Sequence, residues 1–398
     1  MKILFITPYL PSDRSGHAGA KLIYYNILSL SRFHEITLAS FIDLNELHIV
    51  KELQDLGIKV HTVNYPRNEK SILGRLTSVV RNLSPMLSYL KGNETFFFAK
   101  YNKKEMKNLI SRLTNKNVFD LVQVEYNVMH HYSSLFNNIP SVIVFHDIST
   151  KVHESGQNEG NRFNKRSYQI AKKIEGDIAN QFDGVVTLTK EDQSYLKALG
   201  CKKEIHVISP QIRIPKNINV QKVPNTICFI GSFNREPNIH AVESLICDIY
   251  PKITFSAVLN IVGKGLPREL QKQINDIDRI NYLGFINNID EFLISQMLLV
   301  APIQIGSGLK MKITHALACG TAVITTPIGA EGIPINSENG LWICNSTQSM
   351  ADKINSVLCQ DEMLIEKGIA GKMAVTSLFS ENTIIPKFET LYKQLIDE

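Results

Sequence analysis

Paired cysteines, long apolar runs and nucleotide fingerprints are all missing from this 398-residue sequence. The six cysteines (Cys201, Cys228, Cys247, Cys319, Cys344 and Cys359) lie far apart in the second half, with no CxxC pair and no histidine at metal-ligand spacing. That excludes a disulfide scaffold and a zinc knuckle, and the thiols are expected to be reduced core residues of a cytosolic protein. No stretch approaches the roughly 18 uninterrupted apolar residues of a membrane span. The opening MKILFITPYLP has one lysine and an apolar run ending at Thr7-Pro8, too short for a signal-peptide core, and reads as a buried strand. GxxxxGK[ST] is absent, so phosphoryl transfer from ATP is not indicated. GxGxxG is absent too, and no acid beyond Asp43 follows the second strand, which puts a nicotinamide oxidoreductase last among the candidates. There are no short-period repeats and no low-complexity tracts.

What is present is a soluble globular composition with a net charge of +5. Residues 1–210 carry 27 basic and 20 acidic side chains, whereas the remainder carries 16 and 18. The basic excess concentrates between Arg75 and Lys116, so attraction to an anionic surface or ligand favours the first half.

The length suits two domains, each able to bury its own core. Short β-branched and aromatic runs alternate with longer helical patterns, the signature of parallel sheets with crossover helices. The first half predicts strands at Lys2–Thr7, Glu35–Phe41, Lys59–Asn64, Leu121–Glu125, Ser141–Phe145, Gly184–Leu188 and Ile205–Ile208. A connector, SPQIRIPKNINVQKVPN, interrupts the pattern. It restarts with strands at Thr226–Ile230, Ala257–Val262, Ile280–Leu283, Leu298–Ala301, Ala322–Thr325 and Leu341–Ile343. Ligands of such sheets bind at the carboxyl ends of the strands. Outside the alternation stands Ser84–Ile110, with three phenylalanines beside lysines. It reads either as a basic amphipathic element lying on an anionic membrane or lipid-linked acceptor, or as a helix pair capping the first domain.

Several strands run into glycine turns. TPYLPSDRSGHAGAK sets Gly16, His17, Gly19 and Lys21 at the start of a helix, where close backbone approach and free N–H groups suit a sugar hydroxyl or phosphate. VIVFHDIST ends a buried strand with His146 and Asp147, at the rim where a histidine can exchange a proton with a ligand. ICFIGSFNREPNIHAVESL carries Gly231 and Ser232 before a helix marked by Pro237; LNIVGKGLP sets Lys264 between Gly263 and Gly265; NYLGFI carries Gly284, Phe285 and Ile286. Each alone suits an ordinary strand-to-helix turn. Strongest is IGSGLKMKITHALACG, where Ser307, Gly308 and Leu309 precede a helix bearing Lys310 and Lys312: bare N–H groups, a helix dipole and ammonium charge describe a diphosphate cradle.

In this order, FIGSFNREPNIHAVESLICDIYP, LNIVGKGLP, INYLGFINNIDEFL and APIQIGSGLKMKITHALACGTAVITTPIGAEGI resemble the donor half of the family-four retaining glycosyltransferases (group 1) of the GT-B fold. The resemblance is close over Thr226–Ile333 and looser before it, where TPYLPSDRSGHAGAK, VFHDIST and DGVVTLTKED occupy the places of the acceptor-side loop, the cleft histidine and the last strand. It implies an α/β fold of two Rossmann-like doubly wound domains facing a central cleft. Residues 1–210 would bind the acceptor, 211–380 the nucleotide-sugar donor, and 381–398 would form a helix crossing back onto the first domain.

The activity implied is metal-independent hexosyl transfer with retention. A nucleotide-diphosphate sugar, UDP- or GDP-linked, would donate to a glycan, lipid-linked or protein acceptor in cell-surface polysaccharide or glycoconjugate biosynthesis. The enzyme would be cytoplasmic or peripheral at the inner face of the cell membrane, with no cofactor, no bound metal and no nucleic-acid partner. The base would lie on Gly284–Ile286, and the diphosphate on Gly231, Ser232, Gly263, Gly308 and their neighbours, with Lys310 and Lys312. Leu309 and Glu331 join the donor set, and His146 and Asp147 would serve the transferred sugar.

The departures from the family pattern are specific. The EX7E pair falls on Ser307 and His315, and the arginine and lysine that often follow the first donor strand fall on Ser232 and Pro237, leaving phosphate charge to Lys310 and Lys312 with Arg235 or Lys264. His315 then either faces the ribose, accepting one hydrogen bond where a carboxylate accepts more, or packs in the helix interface with a backbone partner while the ribose is held elsewhere. The alternatives to a transferase are a sugar-nucleotide epimerase or hydrolase on the same fold, and a catalytically impaired subunit that binds beside another glycosyltransferase.

Overall fold

The computed structural model describes residues 1–15, 18–67, 72–136, 138–155, 162–215, 219–254, 256–306 and 308–397, with backbone alone at 18, 72–79 and 155. Gly16, His17 and Ser307, three of the candidate ligand-binding residues, lie outside the described residues. The chain divides into two compact units, Met1–Pro210 with Ile384–Glu398, and Gln211–Thr383.

The first unit is built on seven strands, β1 (Lys2–Thr7), β2 (Glu35–Ile42), β3 (Lys59–Asn64), β4 (Leu121–Glu125), β5 (Ser141–Phe145), β6 (Gly184–Thr187) and β7 (Ile205–Val207). All pair in parallel, in the order β3-β2-β1-β4-β5-β6-β7. The inner strands read ILFI, VIVF and LVQV because helices cover both faces, leaving no side for polar alternation. Chain order reverses between β1 and β4.

The second unit holds β8 (Val223–Ile230), β9 (Val258–Val262), β10 (Ile280–Gly284), β11 (Gln296–Ala301), β12 (Ala322–Thr325) and β13 (Leu341–Ile343). They form a parallel sheet in the order β10-β9-β8-β11-β12-β13, reversing between β8 and β11. Every strand expected from the sequence is present, because local apolar runs of this length bounded by turn residues have few other uses.

Three helices, Ile72–Lys91, Phe96–Lys100 and Lys104–Lys116, join β3 to β4. The last buries Met106, Leu109, Ile110 and Leu113, so this part of the basic segment is a cap with a solvated face. The first differs: Val80, Leu83, Leu87 and Leu90, at helical spacing, are each more than half exposed. The helix Glu381–Asp397 buries Phe388, Leu391, Tyr392 and Leu395, and its residues from Ile384 onward belong to the first unit. The cysteine expectation needs correction. All six thiols are free, but Cys247 and Cys359 are exposed rather than in the core, Cys247 on the outer face of the helical segment Leu245–Ile249 and Cys359 in the turn after the helix Thr347–Val357.

Candidate active site

In the second unit the glycine turns after adjacent strands continue the sheet's hydrogen bonding. The Gly231 N–H donates to Val262 O at 3.0 Å and the Gly263 N–H to Gly284 O at 2.7 Å. Gly263, at φ 145°, has no room for a side chain, since a Cβ there would stand 1.6 Å from Gly231 O. The turns are therefore pressed together backbone to backbone. Lys264 lies beside them with its ammonium 4.2 Å from the centre of the Phe285 ring, which is 61% exposed. Ile286 instead packs against the core, as does Leu309.

At the reversal between β8 and β11, a ligand-binding position in open α/β sheets, the helices Glu236–Ser244 and Met311–Ala318 follow those two strands. Lys312 Nζ donates to Asn238 Oδ1 at 2.5 Å and lies 4.3 Å from the Phe229 ring centre. Burial, with Arg235 and Lys310 adding to it, pushes the Lys312 ammonium down to about 7. Lys310 precedes the helix, donates to Gly308 O at 2.6 Å and stands 3.7 Å from a Glu331 oxygen. Cations thus converge at a helix start, an arrangement suited to an anionic ligand. Ser232 and Arg235 are exposed at the same edge.

His315 has a charged partner rather than a backbone one: its Nε2 lies 2.6 Å from Asp290 Oδ1, on the helix Ile289–Ser295. Sequence reasoning missed Asp290 and Asn238. The acidic first turn IDEF and the asparagine after Pro237 are ordinary helix-start residues, and nothing local ties either to a partner.

In the first unit, the turn after β5 carries His146, buried, and Asp147, exposed. His146 Nε2 lies 2.6 Å from Glu125 Oε2 at the end of β4. Glu125 Oε1 accepts from Gln123 Nε2 at 2.6 Å, and Gln123 Oε1 accepts from the Tyr392 hydroxyl of the C-terminal helix. His146 Nδ1 is buried with no hydrogen-bond partner among the described residues. Tyr126 stacks on the imidazole at 3.9 Å between ring centres, from a backbone at φ 72°. Gly19 makes room for that ring, since a Cβ there would stand 1.5 Å from the Tyr126 hydroxyl. Lys21 follows on the same helix, half-buried.

Behind the turn, buried Glu175 accepts from the N–H groups of Ser149 and Thr150, from the Thr150 hydroxyl and from Asn127 Nδ2, at 2.6–2.9 Å. It satisfies the start of the helix Ser149–Ser155. Burial nonetheless holds the Glu175 carboxyl above the usual carboxylate range. Glu125, Tyr126 and Glu175 were not singled out from the sequence. A carboxylate closing the buried-strand run LVQVE was the one available signal.

These two sheets, each with its reversal and its cluster of strand-end turns, define a two-domain Rossmann-like transferase of the GT-B type. Residues 224–360 match the model of the glycosyl transferases group 1, and residues 47–214 that of glycosyltransferase family 4. The chain belongs to this family of glycosyltransferases. It is 20% identical to N-acetyl-alpha-D-glucosaminyl L-malate synthase of Bacillus anthracis over 87% of this chain and 92% of that protein. Among solved structures, HepE of Anabaena in complex with UDP and glucose aligns over 99% of this chain and all of its own, with a TM-score of 0.69 and 16% identity. A mutant of S. aureus TarM, in complex with fondaparinux, alpha-GlcNAc-glycerol and UDP, aligns over 98% of this chain and 99% of its own, with a TM-score of 0.68 and 15% identity.

Proposed function

We propose that the protein transfers a sugar, with retention of anomeric configuration, from a nucleotide-diphosphate sugar held by the second unit to a glycan, lipid-linked or protein acceptor held by the first. The observation that carries this reading is the pair of lysines at the β8/β11 reversal. Lys310 and Lys312 converge there beside turns whose backbones approach one another too closely for side chains. A leaving diphosphate needs its developing charge stabilised in a preorganised site. Lys310, Lys312, Arg235 and the start of the helix Met311–Ala318 supply that charge, so the chemical step does not depend on a metal ion. The exposed Phe285 ring with Lys264 gives the base a flat face.

On the first unit Asp147 is the exposed group at the end of β5, in reach of a sugar hydroxyl. His146, held by Glu125 beneath Tyr126, orients that turn. The HepE and TarM structures, both containing UDP, favour a UDP-sugar donor. The exposed row Val80, Leu83, Leu87 and Leu90, on a helix within the basic excess, supports peripheral attachment to an anionic membrane and hence a lipid-linked acceptor.

The test is a donor screen across UDP-, GDP-, CMP- and dTDP-sugars scored by thermal stabilisation, followed by NMR of the product's anomeric proton. Replacing Lys310 and Lys312 together by Ala should abolish turnover while the protein stays folded. Retained turnover in that variant moves the diphosphate elsewhere, and an inverted product removes the retaining assignment.

A further inference from the structure

A second polar cluster lies in the first unit, and no step of sugar transfer uses it. Glu94 stands in the turn before the helix Phe96–Lys100, and His130 and His131 are consecutive on the 3-10 segment Asn127–Leu135. Glu94 Oε1 is 3.5 Å from His131 Nδ1 and 3.9 Å from His130 Nε2, and the three donor atoms all lie within 4.8 Å of one another.

The hydrogen-bond pattern is unusual without a cation. His131 Nε2 is 3.0 Å from the Phe98 carbonyl, which can only accept, so this nitrogen carries the ring's proton and Nδ1 turns a lone pair toward the carboxylate. His130 is 8% exposed, and its Nε2 is sealed from water with no partner, also facing Glu94. Burial holds both imidazoles in the neutral, ligating form. A proton on Glu94 can serve one of these nitrogens but not both. One cation at their common focus serves all three groups. Lys107 acts on Glu94 and His131 through its charge alone, from outside the cluster.

We propose that Glu94, His130 and His131 bind a divalent transition-metal ion of the zinc class, which fastens the turn at Glu94 to the segment Asn127–Leu135. Two imidazoles and a carboxylate are a donor set that suits zinc. Tetrahedral coordination at about 2.0–2.1 Å sets donors roughly 3.3 Å apart, so Glu94 would move slightly inward and the two imidazoles, whose centres now lie 4.0 Å apart, would turn away from each other as they bind. The His131 N–H to a backbone carbonyl is the outer contact that metal-bound histidines commonly make. Water completes the fourth position. The role is structural, separate from the transfer step.

The test uses the full chain, without an affinity tag and stripped of metal, titrated with Co²⁺ and then Zn²⁺. The expected result is one Co²⁺ per chain with the ligand-field absorption of a tetrahedral site, displacement by Zn²⁺, and a raised melting temperature. Glu94→Gln and His130→Gln should each weaken binding at least tenfold. If His130→Gln fails to fold, Glu94→Gln decides, because that side chain is partly exposed and the replacement keeps its shape. Absence of tetrahedral Co²⁺ absorption in the wild type overturns the proposal, as does undiminished binding in Glu94→Gln. Thiolate-to-cobalt charge-transfer absorption also overturns it, because it assigns the ion to the other cluster of possible ligands, Asp290, His315 and Cys319.

Discussion

Lys312 is the side chain whose surroundings say most about its work. With its ammonium pushed down to about 7 by burial and by Arg235 and Lys310, it is largely neutral in the free protein at pH 8. An anionic diphosphate favours the charged form, so nucleotide binding above pH 7 should take up a proton. Calorimetric titration of UDP in buffers of different ionisation enthalpy should detect that uptake at pH 8, and Lys312→Met should lose it. The same shift bears on stability: the unfolded chain holds this proton up to an ordinary lysine pKa, so the burden on the fold is complete below pH 7 and is relieved as pH rises toward that value. Gly19 makes a second prediction at this scale. Gly19→Ala drives a methyl into the Tyr126 ring and should cost about 1–3 kcal/mol in urea unfolding, as overpacking does. Combined with Tyr126→Ala, most of that cost should disappear.

Among the elements, the C-terminal helix does more than cover the sheet. Its Tyr392 hydroxyl is the outer end of a buried series running through Gln123 and Glu125 to His146, so a helix from the end of the chain supports the turn at β5. Tyr392→Phe leaves Gln123 Oε1 without its donor and should destabilise the first unit by about 1–3 kcal/mol. Chemical denaturation measures this, and turnover should fall with it. The helix Ile72–Lys91 turns an apolar row outward, against the ordinary economy of a soluble helix. Replacing Leu83, Leu87 and Leu90 by Gln should reduce co-sedimentation with anionic vesicles several-fold without lowering the melting temperature. Unchanged sedimentation would leave that row without a membrane role.

At the scale of the whole molecule, a nucleotide that binds only the folded second unit stabilises it by mass action, by about 2.7 kcal/mol at a hundredfold excess over Kd. Differential scanning calorimetry with UDP should therefore raise one unfolding transition more than the other. The sheets behind this behaviour were legible from the start. A buried parallel strand is a short apolar run bounded by turn residues, a property of neighbouring residues, and thirteen such runs became thirteen strands. The glycine turns and the lysine pair were legible for the same reason, since strand, glycine and helix start are consecutive.

The partners of those residues were not legible. Lys312 meets Asn238 across 74 residues, His315 meets Asp290 across 25, and His146 meets Glu125 across 21. The sequence by itself determined which segments become strands, where the chain turns, and which turns are bare enough for a ligand. Only the tertiary structure decided that His315 has a carboxylate beside it, that Gly19 makes way for an aromatic ring, and that Glu94, His130 and His131 share one focus. Periodicity acts over a few residues, whereas a side chain's partner is set by which strands lie side by side.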